Sequence, residues 1–301
     1  MAIKRTAPQK TTITIAWITT LLLSALPNII WNEFFGPPTI WLFWSKIILL
    51  GLLILVSHFL EPARSLRYYF VFILVLFLIE RVTLIIGETT WWQAVFHRGA
   101  DFTPSMFDSQ IRKLIVALVM TLAMFVVYKR PSRFFLVPGN LRAPVGKEGF
   151  LFNEGYSWTR VGLLSALFIT LGTLTFLWLA GRPELSELAK AVPFLPAVLL
   201  LAAMNAFSEE LSYRAALLAP LINAVGRTHS VLLTATFFGV AHFYGVPYGI
   251  IGVFMSFALG YFLSKSMLET KGFFWPFFIH FWQDVAIFSF MAVGAIMAGG
   301  G

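Results

Sequence analysis

The sequence predicts an all-α protein, a polytopic bundle of eight to nine transmembrane helices with its N-terminus inside. Three observations carry that prediction. Of 301 residues, 58% are hydrophobic and 12% charged, with a mean hydropathy of +0.81, whereas a soluble domain carries about 25% charged residues. Apolar runs of the ~20 residues needed to cross a bilayer recur along the chain. Between them, lysine and arginine collect in alternate connections. This composition excludes one large soluble domain, a disordered chain and a coiled coil. The absence of cysteine excludes disulfides, thiolate metal sites and a cysteine nucleophile. The net charge of +8 reads as basic loops facing anionic lipid headgroups, and not as a nucleic-acid footprint.

The candidate spans are, in order, Thr11–Ile30, Thr39–Leu60, Tyr68–Gly87, Ile111–Tyr128, Thr159–Ala180, Leu195–Leu218, Ser230–Tyr244, Tyr248–Leu268 and Phe274–Ala298. The seventh is short enough to be a partial span. The first follows Lys4, Arg5 and Lys10 and lacks a small-x-small cleavage site, and Pro27, Asn28 and Ile29 read as its helix end. It is read as an uncleaved anchor. With the N-terminus inside, the inner segments hold 15 lysines and arginines and the outer ones 5: Arg98, Arg112, Lys113, Arg182 and Lys190. Lys46 and Arg81, near outer span ends, raise the outer count to 7. That asymmetry predicts a multi-pass protein of the cell membrane with a cytoplasmic N-terminus.

Two connections are long. Glu88–Gln110, outside, carries Trp91 and Trp92, which suit an interfacial segment. Lys129–Arg160, inside, is basic, broken by Pro131, Pro138 and Pro144, and expected to lie near headgroups. No internal repeat is found. The expected division is 1–190, transmembrane helices of unassigned role, and 191–301, a catalytic transmembrane core.

Ionisable groups at membrane depth cost about 2.5–3.5 kcal/mol each on insertion scales and are functional hypotheses by default. Glu80 and Arg81 are adjacent, on different helix faces, and have no histidine nearby in the chain, so they read as structural. The sixth span is different, with Ser208-Glu209-Glu210-Leu211-Ser212-Tyr213-Arg214. Glu210 and Arg214 stand at i,i+4 in acid-first order and can neutralise each other. Glu209 is turned about 100° away and shares its face with Asn205, Ser212 and Tyr213. Of five histidines, His242 and His280 lie in late apolar segments; His58 and His97 read as surface groups. His280 and Asp284 are again i,i+4. Glu209 lies 17 residues before Gly226, the expected turn, and His242 lies 16 after it. Both therefore sit roughly 25 Å from the turn at about 1.5 Å per residue. His280, 9 residues after Lys271, reaches only about 14 Å along its helix. Depth thus favours pairing Glu209 with His242 over His280.

Neither H-E-x-x-H nor G-x-S-x-G occurs. A carboxylate beside a histidine can take a proton from water and generate a nucleophile for amide hydrolysis. A second histidine can donate to the resulting oxyanion. Glu209-Glu210-x-x-x-Arg214, Phe238-x-x-x-His242 and His280-x-x-x-Asp284 resemble the three motifs of the CPBP intramembrane proteases. That family, also called Abi, comprises CAAX prenyl endopeptidases and bacteriocin-processing enzymes. The resemblance covers about residues 195–297.

The resemblance implies an intramembrane endopeptidase acting on a membrane-associated protein or peptide. In it, Glu209 with His242 would activate water, and Glu210 and Arg214 would hold the site. His280 and Asp284 would stabilise the oxyanion or bind the substrate carbonyl. The family picture needs no cofactor; a glutamate and two histidines also form a zinc-capable set, so zinc is the minority alternative. The prenyl proteases usually carry Asn where this chain has Asp284. An ionised Asp cannot donate to an oxyanion, so Asp284 is either protonated or accepts the His280 ring N–H. Two readings of other classes stand beside this one: a proton-coupled transporter and a non-catalytic scaffold or immunity protein. A transporter predicts repeats or paired broken helices.

Overall fold

A computed structural model of the chain describes residues 10–96, 102–146 and 155–298. The expectations placed on Lys4, Arg5, His97, Arg98 and Lys147 lie outside the described residues. The described chain is helical, with no strand and one isolated bridge between Pro144 and Ser157. In order come α1 (Lys10–Leu23), α2 (Leu26–Phe35), α3 (Ile40–Phe59), α4 (Glu61–Arg64), α5 (Arg67–Gly87), α6 (Thr90–Phe96) and α7 (Phe102–Tyr128). After a 3-10 turn at Pro131–Phe134 follow α8 (Trp158–Gly181), α9 (Leu185–Ala191) and α10 (Leu195–Glu209). A π-helical segment, Glu210–Ala215, leads into α11 (Ala216–Ala241), α12 (Ile250–Thr270) and α13 (Phe274–Met297).

Among the described residues, seven helical runs are long and apolar enough to cross a membrane, or eight when α1 and α2 count as one bent span. One of the seven, Leu185–Ala241, contains a break at Gly226 (φ 79°, ψ 175°). That backbone favours glycine, and the turn falls where the sequence placed it. The outward side chains confirm the solvent. On α3, Trp41, Trp44, Ile48, Leu52, Leu55 and Phe59 are all exposed, a surface that suits lipid and not water. The chain is an integral, multi-pass helical membrane protein.

Several boundaries move. The first span is two helices bent by 43°. Pro27, expected at a helix end, instead sits in the first turn of α2, where its missing N–H costs nothing. The fourth span starts at Phe102 and not at Ile111, so Arg112 and Lys113, counted among the outer cations, lie well inside the helix and not at its start. The polar start of α7 is tolerated because its groups are paired. Arg112 grips Asp108 through both carboxylate oxygens at 3.0 and 3.1 Å, and Trp92 Nε1 donates to Asp108 Oδ1 at 2.5 Å.

The chain forms two compact units. The first comprises Met1–Phe77, Ala123–Leu136 and Tyr213–Leu268. In it α1 packs on α11, and Trp17 Nε1 donates to His229 Nδ1 at 3.2 Å. The bend between α1 and α2 frees carbonyls, and Lys46 answers by donating to Ser24 O and Asn28 Oδ1, each at 2.6 Å. The α11–α12 connection is tied to α2: Tyr244 and Tyr248 hydroxyls donate to Glu33 Oε1 at 2.9 and 3.0 Å, and Asn32 Nδ2 donates to Tyr244 at 2.8 Å.

The second unit comprises Leu78–Leu122, Val137–Ser212 and Glu269–Gly301. Here α13 packs against α8, α9 and α10, around buried Phe102, Val198, Leu201, Ala202, Phe288 and Ala292. The basic connection after α7 is partly built structure. Asn140 N donates to Thr270 O and Phe273 N to Val137 O, both at 2.8 Å. Glu269 Oε2 accepts from Gly146 N at 3.1 Å and Trp158 Nε1 at 2.8 Å. Gly139 (φ +79°) lies so close to Gly272 that a Cβ would come within 2.6 Å of its Cα.

Gly162 on α8 lies against the Trp275 ring of α13, where a Cβ would stand 2.2 Å from Cε3. Gly162→Ala should therefore destabilise the protein by about 1–3 kcal/mol through overpacking. Gly172, on the same helix with nothing within 4 Å, is the control. Gly172→Ala should be neutral or gain up to about 1 kcal/mol from helix propensity. Thermal unfolding of both variants in detergent checks the contrast.

Candidate active site

The sixth apolar segment changes winding where its charges begin. Through Glu209 it is α-helical; Glu210–Ala215 is π-helical. The i,i+4 reading of Glu210 and Arg214 assumed α-helical spacing, which this segment does not keep. Such segments hydrogen-bond i→i+5 and occur frequently at functional sites. All of Ser208, Glu209, Glu210, Ser212 and Arg214 are buried.

Within the second unit, Glu209, Glu210, His280 and Asp284 come together. Glu210, wholly buried, binds His280 through Oε1 at 2.8 Å from Nδ1. A carboxylate only accepts, so Nδ1 carries the proton in that bond and Nε2 is the nitrogen turned to the site. It stands 3.7 Å from Glu209 Oε2 and 3.6 Å from Asp284 Oδ2. Those separations exceed a direct hydrogen bond and fit a bridging water. The close ring partner of His280 is thus Glu210, and Asp284 Oδ2 instead accepts from Asn205 Nδ2 at 2.9 Å. The depth arithmetic that favoured His242 understated His280, because a π turn and unequal helix depths enter no rise-per-residue count.

Two further residues complete this group. Asn205, on the Glu209 face as the sequence spacing indicated, joins it to Asp284. Lys113 donates to Glu209 Oε1 at 2.7 Å and to Asn205 Oδ1 at 2.6 Å. Sequence reading counted Lys113 among the outer cations at the start of its span and gave it no part in the site. The available signal was the Asp108–Arg112 pair at i,i+4, which extends the helix back past Ile111 and carries Lys113 deeper into it.

Arg214, Phe238 and His242 lie in the first unit. Arg214 is buried, donates from Nε to Ser264 Oγ at 3.2 Å, and sits over the Phe238 ring at 5.0 Å from its centroid. The same ring meets His242 at a centroid distance of 4.3 Å. Phe238 is a platform whose ring meets both Arg214 and His242. Gly260 makes room beneath it, since a Cβ there would stand 3.2 Å from the Phe238 ring. His242 caps α11, and its Nδ1 lies 2.8 Å from Phe238 O. A carbonyl also only accepts, so Nδ1 carries the proton in that contact. Among the described residues no group of three or more His, Cys, Asp or Glu has the arrangement to hold a metal ion.

Residues 191–286 match the family model for type II CAAX prenyl endopeptidases, Rce1-like. This segment is similar to the CAAX prenyl endopeptidases that the family model describes. The Rce1-like match covers about a third of the chain and contains all three sequence motifs, from Glu209 through Asp284. Lys113 lies outside it. No curated protein and no solved structure matches the chain. The Rce1-like segment and the apolar helices together support a membrane-embedded peptidase of the CAAX-protease type, acting on a membrane-associated peptide or protein.

The Lys113–Glu209 contact makes the two side chains energetically dependent on one another. Lys113→Met and Glu209→Gln should each change stability, and the double variant should differ from their sum by about 0.5–3 kcal/mol. The Lys113 side chain is 37% exposed, which places the coupling toward the low end. A thermal-unfolding double-mutant cycle reads it.

Proposed function

We propose that this protein is an intramembrane endopeptidase that hydrolyses a peptide bond of a membrane-associated protein or peptide with water activated by Glu209. The observation that carries the reading is the buried His280, set by Glu210 so that Nε2 faces Glu209 and Asp284, in a segment matching CAAX endopeptidases.

Water between Glu209 Oε2 and the scissile carbonyl gives a proton to the carboxylate, and its oxygen attacks the carbonyl carbon. The tetrahedral oxyanion that forms is met by a donor from the His280–Asp284 pair. The C–N bond then breaks, and the proton held by Glu209 passes to the leaving amine. His242 is assigned to water activation by its motif, with Nε2 as the acceptor left by the Phe238 contact. Glu210 orients His280, and Arg214 with Phe238 steadies the His242 end of the motif set. No step needs a metal. The basic inner segments support a cell-membrane location with the N-terminus in the cytoplasm.

Full-length protein in lipid nanodiscs, given a fluorogenic prenylated peptide ending in a CAAX sequence, tests this. Glu209→Gln and His242→Ala should each fall by roughly 10²–10⁴-fold, the contribution of a general base, while remaining folded. Cleavage by Glu209→Gln at the wild-type rate would show that Glu209 is not the base. Asp284→Asn should retain activity within about tenfold, because an amide still accepts from Asn205; Asp284→Ala should lose it. Exhaustive chelation, with zinc absent by elemental analysis, should leave the wild-type rate unchanged.

A further inference from the structure

The polar group around Glu209 is completed from a part of the chain that the family match does not include. Glu209 Oε1 accepts from Lys113 Nζ at 2.7 Å, which leaves Oε2 as the oxygen facing His280 Nε2. The same ammonium holds Asn205 Oδ1 at 2.6 Å, and Asn205 Nδ2 holds Asp284 Oδ2 at 2.9 Å. One cation on α7 therefore fixes the Glu209 carboxylate directly and the Asp284 carboxylate through one amide. A carboxylate has two equivalent oxygens and a freely turning terminal torsion. A contact that holds one oxygen selects the other as the one that meets the water.

We infer that Lys113 is a positioning residue of the hydrolytic site, selecting the Glu209 oxygen that faces the reacting water and holding Asn205 against Asp284. This inference rests on the peptidase reading above. It assigns the N-terminal half of the chain a part in the chemistry that a purely structural ion pair would not have. A structural pair would affect melting and leave the turnover of folded enzyme intact. A positioning contact acts on kcat with little change in KM, because displacement of a reacting group by about 1 Å can cost on the order of 100-fold.

The absence of cysteine from the sequence makes a clean test available. Lys113→Cys provides a single thiol on a partly exposed side chain. Alkylation with 2-bromoethylamine rebuilds a side chain of lysine's length and charge; iodoacetamide gives a neutral one. With the prenylated peptide as substrate, Lys113→Met and unmodified Lys113→Cys should lose about 100-fold in kcat with KM within a few-fold. Aminoethylation, verified as complete by mass spectrometry, should recover at least tenfold of that loss, and carbamidomethylation should recover none. Should the methionine variant not fold, the cysteine variant carries the same comparison. Wild-type kcat in folded Lys113→Cys, or equal rates after the two alkylations, would overturn the inference. Glu209→Gln separates the two claims. If it is inactive while Lys113→Cys turns over normally, only the role of Lys113 falls. If Glu209→Gln is fully active, the reading on which that role rests falls with it.

Discussion

A charge buried among apolar helices has to be answered by another charge or by a well-aimed dipole, because lipid offers no substitute for water. The second unit is organised around that demand. Its buried acids Glu209, Glu210 and Asp284 converge on one imidazole, with an ammonium and an amide at the periphery. Each contact satisfies a group whose desolvation would otherwise be expensive. The result is a set of polar atoms whose positions depend on one another, with His280 Nε2 facing two carboxylates. Burying polar groups in this way is a weak route to stability and a strong route to fixed geometry.

That geometry requires α13 to be held in register, since it carries both His280 and Asp284. The register is set one turn earlier. The Trp275 ring lies against Gly162, and its Nε1 donates to Leu141 O at 3.1 Å. The turn before α13 is strapped by Asn140, Val137 and the paired glycines 139 and 272. These contacts are backbone to backbone or ring to backbone, so they allow little sliding. A polar site inside the helices is thus positioned by apolar and main-chain contacts at their end.

The fold class was legible because composition and run length are properties of the solvent. A chain with so few charges and such long apolar runs has few soluble alternatives. The Gly226 turn was legible for a local reason, a glycine amid polar residues. Glu209, Glu210, His280 and Asp284 stood out because charges are rare in these spans, and their spacing matched a family. Other features were not legible. Lys113 is 96 residues from Glu209 in the chain, and contacts at that separation leave no periodic trace. It also sat beside Arg112 at the start of its expected span, where a pair of cations resembles an ordinary helix end. The bend between α1 and α2 was hidden because Pro27 serves equally well to end one helix or to start another. Phe238 was marked by its motif, but the motif did not tell that its ring would meet Arg214 as well as His242.

The π-helical segment changes what the first motif means. In an α-helix, E-E-x-x-x-R would describe two partners one turn apart. Here Glu210 opens the wide turn and Arg214 stands near its close, with Glu210 directed to His280 and Arg214 to Ser264 and Phe238. The three intervening positions are the stretch of backbone wound as a π-helix between the two charged residues. The motif is therefore a specification of helical pitch written in side chains. Inserting or deleting one residue among Leu211, Ser212 and Tyr213 would leave both charged residues present and turn each toward the wrong part of the molecule.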